Sequence, residues 1–140
     1  MKSIFLFLLI LFFASACNKR DNFRPVVEYI KVDSVLADTI FNMSFPFTSE
    51  YRLTDNDGVE EYRFEFIKTL DSMPDLHLLE IKNIGGPSEY NGSTIVDFPD
   101  AILDTITYDT LGFYKITVDC FDKTGNTALQ KKILVEIILD

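Results

Sequence analysis

GFYKITVDCFD, residues 112–122, decides the fold. Tyr114, Ile116, Val118 and Cys120 fall on one side of an extended chain and Lys115, Thr117 and Asp119 on the other, because successive side chains of a strand point to opposite faces. A helix would scatter the same residues around its axis. The segment is a half-buried strand, and it places Cys120 in the core.

The device recurs in both directions along the chain. In EYRFEF, residues 61–66, Tyr62, Phe64 and Phe66 alternate with Glu61, Arg63 and Glu65. In FNMSFPFT, residues 41–48, Phe41, Met43, Phe45 and Phe47 alternate with polar residues, which predicts one strand with Pro46 at an edge or near its end. Leu129, Ile133, Val135, Ile137 and Leu139 share a face of a last strand, with Leu134 and Ile138 on the other. Val26 to Val32 gives a weaker first strand. LHLLEI, residues 76–81, is ambiguous by period alone and is assigned to a strand because turn-rich segments flank it. Turn signals stand between the runs: DNDG at 55–58, GGP at 85–87, NG at 91–92 and DKTGN at 122–126. Gly85 to Ser93 reads as the longest loop. Six or seven strands with no convincing helix predict an all-β chain, an antiparallel sandwich over residues 26–140.

The first residues follow other rules. Lys2 gives a positive start, Ile4 to Phe13 is an unbroken apolar run, and Ala14-Ser15-Ala16 are residues a signal peptidase accepts. Ten apolar residues cover about half of a bilayer core some 30 Å thick, so the run reads as a signal peptide and not as a membrane span. The stretch ending at Cys17 resembles the lipobox of bacterial lipoproteins, with Ala14 where the commonest form has Leu. The resemblance implies that Cys17 becomes the first mature residue and carries acyl chains, palmitate among them. Each buried CH₂ contributes about 0.8 kcal/mol, so several chains anchor durably. Residues 17–25 then form a polar tether. Lys19 and Arg20 precede Asp21, which leaves the periplasmic and cell-surface sides of an outer membrane both open.

Removing sixteen residues leaves enough chain for one ordinary domain. The full-length net charge is −9, and the lost segment carries only Lys2, so the mature chain is more acidic still. With no basic stripe to offset it, such a surface excludes nucleic acid as a partner. If Cys17 is acylated, Cys120 stands alone and no internal disulfide is expected. Packing of phenylalanine, tyrosine and aliphatic side chains must then hold the domain.

LTDNDGVEEYRFEF followed by LGFYKITVDCFDKTGNTALQKKILVEI resembles the Ig-like, cadherin- and PKD-like domains of bacterial surface proteins. There a D-x-D-G turn leads into strand C and a D-x-x-G-N turn joins strands F and G. With the lipobox, the chain is similar to small Ig-like lipoproteins of Bacteroidota. The resemblance implies a tyrosine corner at Tyr114, and it implies a fold more than an activity.

Three kinds of site are weighed. Asp55, Asp57, Asp119 and Asp122, with Asn56 and Asn126, are oxygen donors of the sort Ca²⁺ takes, yet tight turns need the same residues, and plain turn chemistry with no metal is the expectation. His77 is the single histidine, and no nucleophile elbow, metal-ligand pair or phosphate loop accompanies it, so no catalytic residue and no cofactor is expected. Tyr90 and Asn91, placed in the long loop, could stack on and hydrogen-bond a glycan or peptide. The chain is therefore expected to be a non-enzymatic envelope lipoprotein with an interaction or spacer domain. The alternatives are a carbohydrate-binding accessory of a glycan-uptake system and a calcium-stabilised adhesin-like module.

Overall fold

A computed structural model describes residues 23–69, 77–97 and 111–138. Within them the period-two segments form eight strands: β1 (Val26–Val32), β2 (Thr39–Met43), β3 (Phe47–Thr54), β4 (Val59–Lys68), β5 (His77–Asn83), β6 (Glu89–Val96), β7 (Gly112–Asp122) and β8 (Lys131–Ile137). One sheet has the order β1-β3-β6, the other β2-β8-β7-β4-β5. Two stacked sheets of this kind make a β-sandwich. Every pairing is antiparallel except β2 with β8, which is parallel.

Alternation places the core where the sequence predicts along β4, β7 and β8. Tyr62, Phe64, Phe66, Tyr114, Ile116, Val118, Cys120, Ile133, Val135 and Ile137 are buried. Phe47, Tyr51 and Leu53 face them from β3. The sheets meet through aromatic rings, with Phe47 against Phe66 at 5.8 Å and Tyr51 against Tyr62 at 5.3 Å between centroids. Within the larger sheet Phe66 and Tyr114 lie flat on each other at 4.6 Å. Such pairs each add about 0.5–1.5 kcal/mol beyond the area they bury. Tyr114 is fully enclosed, and burial pushes its hydroxyl up to about 12.

Four expectations are corrected. Phe41 to Phe47 is not one strand: β2 ends at Met43 on the larger sheet and β3 begins at Phe47 on the smaller. Asn42 turns into the left-handed region (φ 57°) as the chain leaves one sheet for the other, so the alternation is reset between the strands. Ile40 is buried in place of Phe41, which is 59% exposed with its ring edge against Phe113. Leu129 precedes β8 and is exposed, because Ala128 bonds back to the Cys120 carbonyl and strand pairing resumes only at Lys131. Gly85 to Ser93 is not one loop, since β6 begins at Glu89. Strand pairing along β6 takes Tyr90 and Asn91 out of the loop predicted for them.

Candidate functional site

One group of hydrogen-bonded polar side chains links β5 to β6 across the side of the sandwich. Glu80 stands directly opposite Phe64, which fixes it on the inward face of β5. Its carboxylate accepts a hydrogen bond from the Tyr62 hydroxyl at 2.5 Å and another from Thr94 Oγ1 at 3.0 Å. Tyr51 and Thr94 share a hydrogen bond at 3.2 Å. Tyr90 completes the group by stacking on Tyr62, centroids 5.5 Å apart and planes 26° apart.

Electrostatics follow from this enclosure. Burial, and then the hydrogen bond to the Glu80 carboxylate, pushes the Tyr62 hydroxyl far above an ordinary tyrosine. Burial also raises Tyr51, against the opposing pull of its bond with Thr94. Both oxygens of Glu80 accept hydroxyl protons and both tyrosines hold theirs tightly. The group binds the two sheets together.

Gly92 shows how closely the cluster is packed. A Cβ at this position would lie 2.3 Å from Tyr51 Cε2 and 2.8 Å from Tyr90 Cε1. The NG pair at 91–92, read in the sequence as a turn, thus serves a mid-strand contact. Tyr90 is half-buried against the core and Asn91 donates to Glu89 at 3.3 Å, both on strand β6 and not in a loop.

The acidic turns behave as turn chemistry demands. Asp122 Oδ1 accepts from the Thr124 and Asn126 backbone N–H groups, both at 2.8 Å, and Oδ2 from Asn126 Nδ2 at 2.6 Å. Burial acts to raise this carboxyl, yet the bonds from Asn126 and Thr124 outweigh it and hold Asp122 below the usual carboxylate value. Asp55 Oδ2 accepts from the Asp57 N–H at 3.0 Å. Asp119 lies on the outer face, bonded by Gln130 at 3.1 Å. Among the described residues no three His, Cys, Asp or Glu side chains come close enough to share a metal ion.

Cys120 is fully buried, and burial, then the Asp119 and Asp55 carboxylates, pushes its thiol up to about 12. It is a core residue with no nucleophilic character. His77 opens β5, and Cys17 lies outside the described residues. Sequence reasoning missed Glu80, Thr94 and Tyr51. Their signal was parity: Thr94 lies two residues before buried Val96, and Tyr51 four after buried Phe47.

Compared with known proteins, the chain matches no family model and no curated relative.

Proposed function

We propose that this chain is an envelope lipoprotein, acylated at Cys17 and held on the outer membrane, whose sandwich works as a non-catalytic interaction or spacer domain. One observation carries the reading: the enclosed polar groups are used to hold the fold. Glu80 is bonded by Tyr62 and Thr94, Asp122 by its own turn, and Cys120 is sealed in the core. Chemistry-bearing side chains spent in this way support a rigid display domain, and the apolar leader ending at Cys17 supports a membrane address.

An interaction role also draws support from β5, which pairs with β4 on one side and carries Leu79 and Ile81 outward, both exposed. Among the described residues β5 is a sheet edge, and such an edge accepts an added strand. The test is metabolic labelling with a palmitate analogue in a bacterial host. Label on the wild type, lost in Cys17→Ala together with membrane retention, is the expected result. A protein that stays unlabelled and leaves with the soluble fraction would refute the tether.

A further inference from the structure

Exposed apolar side chains collect at the end of the sandwich where the chain enters. Phe23 is 71% exposed, Val26 51% and Leu129 78%. They surround two adjoining concavities of about 360 and 390 Å³ that share Arg24 and Val26. The patch is built and held in place: Asn126 Nδ2 donates to the Phe23 carbonyl at 3.3 Å, and Lys131 Nζ donates to the Glu28 carbonyl on β1. Apolar groups left outside at one end of a domain mark a contact surface.

The covalent chain says what that surface meets. Phe23 is six residues from Cys17, and six residues fully extended span at most about 20–22 Å. If Cys17 carries acyl chains, this end of the domain cannot leave the neighbourhood of the bilayer. The patch then meets the membrane at an effective concentration on the order of millimolar, so a surface too weak to bind lipid alone is occupied once tethered.

We infer that the Phe23–Val26–Leu129 end is a lipid-contact surface, seated in the interfacial layer of the bilayer that holds the Cys17 acyl chains. The inference rests on the lipoprotein reading above and adds an orientation to it. Arg24 and Lys131 line the second concavity, and the Lys131 ammonium is already held by the Glu28 carbonyl. Asp55 and Asn56 line the neighbouring concavity, and Asp57 follows them in the exposed turn. Apolar burial and not attraction to anionic lipid therefore drives the contact.

The chain contains no tryptophan, so one introduced indole reports alone. The full mature chain from Cys17 is coupled through that thiol to a maleimide lipid in phosphatidylcholine vesicles with brominated acyl chains; buried Cys120 does not compete. Leu129→Trp is expected to shift blue and to be quenched several-fold more than Ile95→Trp. Ile95 is 67% exposed and pairs with Thr48, whereas Val26 pairs with Thr54 at the other end of β3, about 20 Å away. Adding Phe23→Ser and Val26→Ser to Leu129→Trp should return quenching to the Ile95→Trp level. Equal quenching at the two positions, or quenching that survives the serine pair, would overturn the surface. Acylation is read separately, by mass spectrometry of protein from cells: an unmodified Cys17 removes the natural tether, while the coupled vesicles still report on the patch.

Discussion

Thr94 on the three-stranded sheet donates a 3.0 Å hydrogen bond to Glu80 on the five-stranded sheet, closing the side of the sandwich that strand pairing leaves open. Because the same carboxylate accepts from Tyr62, its removal strands two buried hydroxyl donors. Hydrogen bonds to a charged group are worth about 1.5–3 kcal/mol, and unpaired buried donors add to the loss. Glu80→Ala is expected to cost about 2–3 kcal/mol, and Glu80→Gln less, since one carbonyl oxygen remains. Thermal unfolding should show the alanine variant melting roughly 10 °C lower. A variant as stable as the wild type would mean the bridge is ornamental.

Much of this fold was legible because alternation survives wherever a strand has one buried face. Tyr62 to Phe66 and Tyr114 to Cys120 are such runs, and their inward residues are all buried. Phe41 to Phe47 misled because alternation is blind to a chain that changes sheets: the spacing of phenylalanines continues from β2 to β3 while the strand does not. Tyr90 and Asn91 misled for the opposite reason. Glycine at 92 signals a turn by composition, but here it makes room for the Tyr51 ring, a long-range contact that local sequence does not record. The Glu80 cluster was invisible on the same ground, since its members come from four strands.

Gly92 tests that account directly. Its backbone is not in the left-handed region, so the argument against a side chain is purely steric: an added methyl lies 2.3 Å from a Tyr51 ring that is itself buried. Overpacking of this kind costs about 1–3 kcal/mol. Gly92→Ala should destabilise by that amount. Tyr51→Val should cost less in the Gly92→Ala background than in the wild type, and strict additivity in that double-mutant cycle would show that the two do not touch.

Ser49 is fully buried in β3, and its hydroxyl has no hydrogen-bond partner among the described residues. Leaving a hydroxyl desolvated and unpaired costs about 1–3 kcal/mol, which alanine avoids at the expense of one small atom. Ser49→Ala is therefore expected to stabilise the domain by about 1 kcal/mol in urea unfolding. A loss of stability would reveal that the hydroxyl is satisfied after all.

Alongside the raised Tyr51 and Tyr62 hydroxyls, two further groups bring down stability at alkaline pH, Cys120 and Tyr114. Both are pushed up to about 12 in the folded chain, by burial and, for Cys120, additionally by the Asp119 and Asp55 carboxylates. Unfolded, they ionise near about 8.5 and 10. Groups whose neutral form is the buried one give stability that is complete below the unfolded values and is lost as pH rises toward the folded ones. Stability should fall from about pH 9 upward, and the Cys120→Ala, Tyr114→Phe pair should make that fall shallower, the remainder coming from Tyr51 and Tyr62. In native protein at neutral pH the Cys120 thiol should resist a disulfide reagent until urea exposes it. Rapid reaction in the folded state would contradict its burial.

At the acid end the group that matters is Asp122. Four hydrogen bonds converge on its carboxylate, from the backbone N–H groups of Thr124 and Asn126, from Thr124 Oγ1 at 2.9 Å and from Asn126 Nδ2. Burial alone would raise this carboxyl, but the bonds prevail and the folded value lies below the ordinary one. For a depressed carboxyl the stabilisation is present above the unfolded value, near about 3.9, and disappears as pH falls through the folded value. Asp122→Asn replaces one acceptor with an amide that faces donors, so at pH 7 it should cost about 2 kcal/mol. Below the folded value the wild type has lost the same charge, and the gap between the two proteins should close. Urea unfolding at pH 7 and near pH 2 decides the matter: a gap of equal size at both would mean that shape, and not the ionised carboxylate, holds the turn between β7 and β8.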